Sequence, residues 1–445
     1  MMKALNDNAH PLESLLQQHC PNGVEFKELG ELGEFSNTGV DKKKNEKEKE
    51  VILLNFVDVM KNHYIDEKIP TMIVTASDNK IKQCTCEKGD IFITPSSETI
   101  DEIGFASVIT KTLSNTCYSY HIMRYRLFEK QITTSFFIRY LFESEIIRQQ
   151  IRKYATGLTR FGLKKQKWEQ IKIPLPPLEI QYKIVEILDA FTELEAELEA
   201  ELEARLKQYH YYRNKLLSHD ELENRTAKQA KRSFFRKSRN DSDPTHLVPL
   251  VSLGELFTIK NGYTPSKAKA EFWESGSIPW FRMEDIQTNG RILSDSIQHI
   301  TPQAVKGGKL FPANSIIIAT TATIGEHALV IVDYLSNQQF TCLIPQVNCC
   351  EQLNMKFMFY YGFILGEWCR NNVNKSAFPS VKMDKFKKVK IPLPPLAVQN
   401  EIVELLDKFD TLTNDLTSGI PAEIEARKKQ YEYYRERLLS FIAKD

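Results

Sequence analysis

One internal duplication constrains this chain more than any other feature. Residues 173–191, IPLPPLEIQYKIVEILDAF, match residues 391–409, IPLPPLAVQNEIVELLDKF, at 13 of 19 positions with an offset of 218. Residues 203–218, EARLKQYHYYRNKLLS, match residues 425–440, EARKKQYEYYRERLLS, at 12 of 16 positions with an offset of 222. The second copy is four residues longer between its two blocks. Weaker likeness precedes each copy: Leu29-Gly30-Glu31-Leu32 recurs as Leu253-Gly254-Glu255-Leu256, and residues 90–104 share the character of residues 314–328. The order is variable unit, repeat, variable unit, repeat. Such a chain is a tandem duplication whose repeats kept a shared job while the units between them diverged.

Within each repeat the proline pair forbids regular helix or a central strand, and Pro177 and Pro395 suit the start of the helix that follows. In the first copy Ile184, Leu188, Phe191, Leu194, Leu198, Leu202, Tyr209, Tyr212 and Leu216 recur mostly every three or four residues, an interhelical stripe. From Glu179 to Ser218 the helix would reach about 60 Å. The second copy carries the same stripe (Ile402, Leu406, Phe409, Leu412, Leu416, Ile424, Tyr431, Tyr434, Leu438), but Gly419 and Pro421 predict a kink or restart. The economical arrangement packs the two helices antiparallel within one chain, about a pseudo-two-fold axis. Residues 193–204 read ELEAELEAELEA. Each tetrapeptide advances a helix by about 6 Å and turns its stripe by about 40°, so copy number would adjust separation and twist. The plainer reading of these glutamates is a solvated helix face.

The variable units, residues 21–160 and 247–378, hold short β-branched and aromatic runs: VILLNFVDV, TMIVTAS and DIFITPSS, then SIPWFRMEDI, SIIIATTAT and HALVIVDY. Helical patterns follow at 132–153 and 353–370. The fold class expected is α+β, with two similar globular domains separated by two long antiparallel coiled-coil helices. The segments are an N-terminal extension (1–20), a first domain (21–170), a repeat helix (171–218), a basic linker (219–246), a second domain (247–385) and a second repeat helix (386–445).

At 445 residues, 42% apolar and 26% charged, the chain excludes wholesale disorder and a small disulfide scaffold. No apolar stretch approaches the roughly 20 residues of a membrane helix, and the N-terminal residues lack a secretory pattern, so a cytoplasmic address is expected. The eight cysteines form no paired zinc knuckles and the histidines show no ligand spacing, so reduced thiols and no metal are expected. The formal charge of +1 hides segregation: residues 193–204 carry six Glu, whereas residues 225–239 carry seven basic residues and no acid. A polyanion partner therefore stays open.

No phosphate-binding loop, nucleophile elbow or amino-methyltransferase motif is present. Asp90, Glu98, Asp101 and Glu284 lack a lysine at nuclease spacing. Binding chemistry remains. The hydroxyl runs at Thr94–Thr99 and Thr320–Thr323 offer donors and acceptors to phosphates or base edges, or are ordinary strand-to-loop transitions. Arg152, Lys153, Arg160, Phe161, Lys164 and Lys165, then Arg370, Lys375 and Phe378, would grip a sugar-phosphate backbone or merely solvate a surface. The basic linker at 225–239 reads as a flexible tether, with contact to nucleic acid open to it as well.

The duplicated IPLPPL-x2-Q segments, the paired QY-x-YYR-x2-LLS ends, GIPAEIEARKKQYEYYR (419–435) and TGLTRFGLKKQKWEQIKIPLPPL (156–178) resemble the specificity (S) subunit of type I restriction-modification systems. The resemblance implies a non-catalytic DNA reader with two target-recognition domains, each selecting half of a split double-stranded target. It also implies docking of two modification (methyltransferase) subunits on the helices, joined by restriction subunits with translocase and nuclease motors. S-adenosylmethionine, ATP and Mg would be used by those partners and no cofactor by this chain; no membrane is involved. The tetrapeptide tract occupies the place where family members vary spacer length. DNA contacts are expected at Thr94, Ser96, Ser97, Arg152, Arg160, Lys164, Lys165, Lys260, Arg282, Thr320, Thr321 and Lys375. Partner-binding positions are expected at Leu188, Phe191, Tyr209, Tyr212, Leu406, Phe409, Tyr431 and Tyr434. The competing reading is a coiled-coil scaffold that organises proteins without touching DNA; it leaves two large divergent globular units unexplained.

Overall fold

The computed structural model describes residue 18 and residues 20–129, 131–234, 248–374, 378–415 and 418–441. Expectations for residues 1–17, for the linker beyond residue 234 and for Lys375 lie outside the described residues. The chain divides into two compact units, one joining residues up to Glu199 with those from Ile424 onward, the other spanning Ala200–Glu423. This partition differs from heads flanked by separate rods, because the repeat helices bury their ends in the head cores. Ile180, Ile184 and Leu188 share the first core with Leu438 and Leu439. Val398, Ile402 and Leu406 share the second unit's core with Tyr209 and Leu216.

The two heads have one topology. In the first, a five-stranded sheet runs in the order Gly33–Ser36, Met123–Leu127, Ile91–Ile93, Ala106–Ile109, Tyr64–Ile65, antiparallel except for its last pair. The second repeats this with Phe257–Asn261, Phe340–Pro345, Ser315–Ala319, His327–Val330 and Ile292–Leu293, again parallel only at the last pair. Each head adds a three-stranded sheet with one antiparallel and one parallel pair, centred on Lys49–Leu54 or on Ile278–Phe281. The central strands Ile91–Ile93 and Ser315–Ala319 are buried at every position, so they read as continuous apolar runs without alternation. The α+β class holds in both units.

Some apolar runs change structure midway. In VILLNFVDV the strand ends at Leu54 and Asn55 caps a helix, Phe56–Lys61, through a reciprocal bond with Asp58. In SIPWFRMEDI the helix Met283–Asn289 starts after Arg282, whose backbone N–H donates to the Asp285 carboxylate at 2.6 Å. The pattern at 132–153 is two helices, Ser135–Leu141 and Glu145–Tyr154, because the chain turns at Ser144.

Each proline motif begins as one strand of a two-stranded ribbon, where a missing N–H is tolerated: Lys172–Leu175 pairs with Glu25–Glu28, and Lys390–Pro392 with Leu250–Ser252. The first repeat helix is continuous over Leu178–Leu216. The second copy is two helices, Leu396–Asn414 and Ile420–Leu438, interrupted where Gly419 and Pro421 predict it. A Cβ on Gly419 would lie 2.4 Å from the Thr411 carbonyl oxygen, so the turn requires glycine.

Antiparallel pairing is present inside each unit. In the first, Phe191 stacks on Tyr434 at 5.6 Å and Lys428 pairs with Glu195 and Glu199 at 3.3 and 3.2 Å. In the second, Phe409 stacks on Tyr212 at 5.7 Å and meets Tyr209 at 6.5 Å. Phe191 and Phe409 are equivalent positions of the repeat, as are Tyr209 with Tyr431 and Tyr212 with Tyr434. Between Leu188 and Tyr209 no residue of the first helix is fully buried, and the tetrapeptide leucines are half-covered.

The expected flexible linker is corrected at its start, because His219–Phe234 is helical. Leu222 and Thr226 bury one face, Arg225 pairs with Glu221 one turn back, and the same guanidinium reaches Glu401 at 2.5 Å. Lys228 and Lys231 are exposed on this amphipathic helix, which composition alone did not separate from a tether.

Candidate nucleic-acid interface

In each head the central strand delivers hydroxyl residues to a loop that precedes the proline motif. In the first, Ile91–Ile93 leads through Thr94 and Pro95 to Ser96–Ser97, which pair antiparallel with Phe161–Gly162. The loop 156–162 is closed by two backbone bonds between Thr156 and Gly162, both 3.0 Å. Gly157 sits at φ +143°, with space for a Cβ denied by the Arg160 carbonyl oxygen at 1.9 Å. A rigid, glycine-dependent hairpin thus exposes Leu158, 95% accessible, and aims Arg160 so that its Nε donates to Ser96 Oγ at 3.2 Å. Lys164 follows, exposed.

Beside this hairpin, Phe56, Ser97, Glu98, Glu102, His121 and Arg160 line a concavity of about 300 Å³. Carboxylate acceptors, a guanidinium, an imidazole and one hydroxyl in one small hollow suit base edges better than phosphates alone. Arginine reads guanine and a carboxylate accepts from the cytosine amino group.

The second head builds the same feature from different residues. Thr321 bridges to Ser380, Val381 N donates to Thr320 O at 3.0 Å, and Asn374 N donates to Ser380 O at 3.0 Å. Phe378, 88% accessible, takes the projecting position. Lys382 follows it exposed, as Lys164 does in the first head at the equivalent position. The exposed lysines Lys382, Lys385, Lys387 and Lys388 were not singled out from the sequence; their equivalence to the 164–170 segment under the 218-residue offset was the available signal.

Thr94, Ser97 and Thr320 are corrected as contacts, because the fold buries them; the other expected residues that are described keep surface or half-buried positions. Thr94 is fully buried: its hydroxyl donates to Glu102 O at 2.8 Å and accepts from Phe105 N at 3.0 Å. Thr320 is buried against Thr341, Oγ1 to Oγ1 2.9 Å. Ser97 is nearly buried and donates to Glu102. Arg152 is held by Asp101 at 3.1 Å and Glu145 at 3.0 Å, hydrogen bonds that raise its pKa, and it lines a different cleft, with Glu195 and Lys428. Lys165 pairs with Glu169 at 3.7 Å, and Arg282 pairs with Glu284 at 2.9 Å beside Trp280. Lys260 is exposed on the strand Phe257–Asn261, and Thr321 is half-buried. The structure therefore gathers Ser96, Ser97, Arg160 and Lys164 at one hairpin and Thr320 and Thr321 at the other. Of the expected partner-binding residues, Leu188, Leu406 and Tyr209 are buried within the chain, and the six aromatic positions also meet one another within their units.

The sequence profile described as "Type I restriction modification DNA specificity domain" matches residues 21–208 and 248–426. The chain is 56% identical over 201 residues to the type I restriction enzyme EcoprrI specificity subunit of Escherichia coli, covering 44% of this chain and 50% of that protein. It is 41% identical over 300 residues to the EcoR124I/EcoR124II specificity subunit of Escherichia coli, covering 63% and 67%. The matched region thus spans half the length of the first relative. A solved chain described under complex assembly and conformational transition of the type I R-M system shares the fold, with a TM-score of 0.57 at 17% identity over 94% of this chain and 97% of that one.

Proposed function

We propose, for a chain that belongs to the type I restriction modification DNA specificity family, that it reads a bipartite DNA target, each head selecting one half-site, and directs modification and restriction subunits to it. The observation that carries this reading is the duplication of one head topology with unlike residues at the same projecting hairpin: Leu158, Arg160 and Ser96 in one head, Phe378, Ser380 and Thr321 in the other. Equal frames with unequal reading residues suit two different half-sites.

The chain acts as a non-catalytic subunit in the cytoplasm. Methyl transfer from S-adenosylmethionine and ATP- and Mg-dependent translocation and cleavage belong to the partners. Because the paired aromatics are occupied within the chain, the modification subunits dock on outward faces of the repeat helices, where Tyr182, Tyr211 and Tyr433 are exposed.

Selection from random duplexes by the assembled complex with its modification subunits tests this. Recovery of a split sequence with a fixed gap supports the reading. Equal retention of all sequences at every salt concentration favours the scaffold alternative.

A further inference from the structure

The heads have diverged, yet each is fastened to its own repeat helix through the same two polar residues, eight positions apart. In the first unit Gln181 is fully buried. Its Oε1 accepts from Thr133 Oγ1 and Thr134 N, both at 3.1 Å, and its Nε2 donates to the carbonyls of Ile132 at 3.0 Å and Pro176 at 2.8 Å. Further along the same helix, Asp189 Oδ1 accepts from Tyr64 and from Tyr140, the latter at 2.5 Å. In the second unit Gln399 Oε1 accepts from Asn354 N at 2.9 Å and its Nε2 donates to Gln352 O and Pro394 O, both at 2.8 Å. Asp407 then accepts from Tyr360 and from Lys356 Nζ, both at 2.6 Å.

The head-side partners also keep a spacing. Thr134 and Asn354 are the N-caps of the head helices Ser135–Leu141 and Met355–Asn371. Tyr140 and Tyr360 each lie six residues beyond those caps. Burial raises both phenols well above their ordinary pKa, so they remain donors. Two grips about 12 Å apart along a helix fix rotation as well as translation. A stripe of apolar contacts alone tolerates small rotations, because dispersion is not directional.

We infer that Gln181 with Asp189, and Gln399 with Asp407, are positioning residues that set each head's rotation on its helix, and so determine the gap length accepted between half-sites rather than the bases selected. This rests on the reading of a split DNA target given above.

The test uses the full chain assembled with its modification subunits, as unaltered protein and as the variants Asp189→Ala, Asp189→Asn and Tyr140→Phe. Affinity is measured for duplexes carrying both half-sites with gaps from about two base pairs short to two long, and for single-base changes within each half-site. Asp189→Ala and Tyr140→Phe are expected to lower the preference for the best gap about tenfold, with the penalties for half-site changes kept. Asp189→Asn, which still accepts from both phenols, restores the preference. An equal loss at every gap, with the shape of the gap profile retained, overturns the inference and leaves a purely structural role. Should Asp189→Ala not assemble, Tyr140→Phe, which deletes one hydroxyl, decides by the same profile. If the unaltered complex prefers no split sequence, the DNA-reading function has failed instead, and that is seen before any variant is compared.

Discussion

Thr94 and Ser96 stand two residues apart in one hydroxyl-rich run, and the structure gives them opposite fates. Thr94 closes the end of the central strand from inside, whereas Ser96 meets Arg160 at the surface. Residue type announced hydrogen bonding in both; which side faces solvent depends on the pairing of Ser96 with Gly162, too distant in sequence for local pattern to reveal. Arg160→Ala is expected to weaken binding of a specific duplex by about 1–3 kcal/mol and to relax the base preference at one position of one half-site. Its unfolding free energy should stay within about 0.5 kcal/mol of the parent. Affinities for single-base variants of the duplex, beside chemical denaturation, check both. His327 behaves in the opposite way. It is completely buried, bonded to the Phe359 carbonyl at 3.0 Å, and burial with neighbouring Arg291 pushes its pKa down to about 3. The folded state thus refuses a proton that the unfolded chain accepts below about 6.5. This contribution to stability is complete above pH 6.5 and is lost as pH falls toward 3, at up to about 1.4 kcal/mol per pH unit. In His327→Gln the slope of unfolding free energy against pH should fall by as much as one proton. An unchanged slope would show that the native imidazole titrates normally.

Among the elements, the repeat helices were the most legible, because a 3.6-residue apolar period, paired prolines and a Gly-Pro interruption are all local signals. The sheets were not: strand order in each head depends on long-range pairing, as between Gly33–Ser36 and Met123–Leu127. The repeat also shows which contacts matter. Phe191 and Phe409 occupy equivalent places, each stacked on a tyrosine, while Lys428 holds Glu195 and Glu199 with its own side chain 44% exposed. Phe191→Ala and Phe409→Ala should each cost about 1–3 kcal/mol, since both rings are half-buried. Lys428→Ala should cost under about 1 kcal/mol, as solvent screens the pair. Denaturant melts of the three variants decide whether aromatic stacking or charge holds the helices. The tetrapeptide tract is thinly covered, and the boundary between compact units falls within it, at Glu199. Deleting one tetrapeptide should therefore leave the half-site bases unchanged and shorten the preferred gap, read by duplex selection. New bases with an old gap would remove the spacer role.

At the scale of the molecule, duplication of a head with its own helix halves makes each unit a self-contained module: residues up to Glu199 with those from Ile424, and Ala200–Glu423. Modules of this kind should exchange, provided the joints survive. Replacing residues 21–160 by the corresponding head of another family member is expected to change one half-site and leave the other intact. The joint adds a condition that base reading alone would not impose. The incoming head must offer a donor at the N-cap position of its counterpart to the helix Ser135–Leu141 for Gln181 and a tyrosine six residues later for Asp189, as Thr134 and Tyr140 do here. A chimera meeting both requirements should keep the parental gap, and one lacking the tyrosine should read its new half-site while tolerating gaps about one base pair longer or shorter. Methylation mapping of cells that express each chimera with the modification subunit measures both quantities together. Loss of both half-sites in the well-joined chimera would mean that the two modules do not read independently.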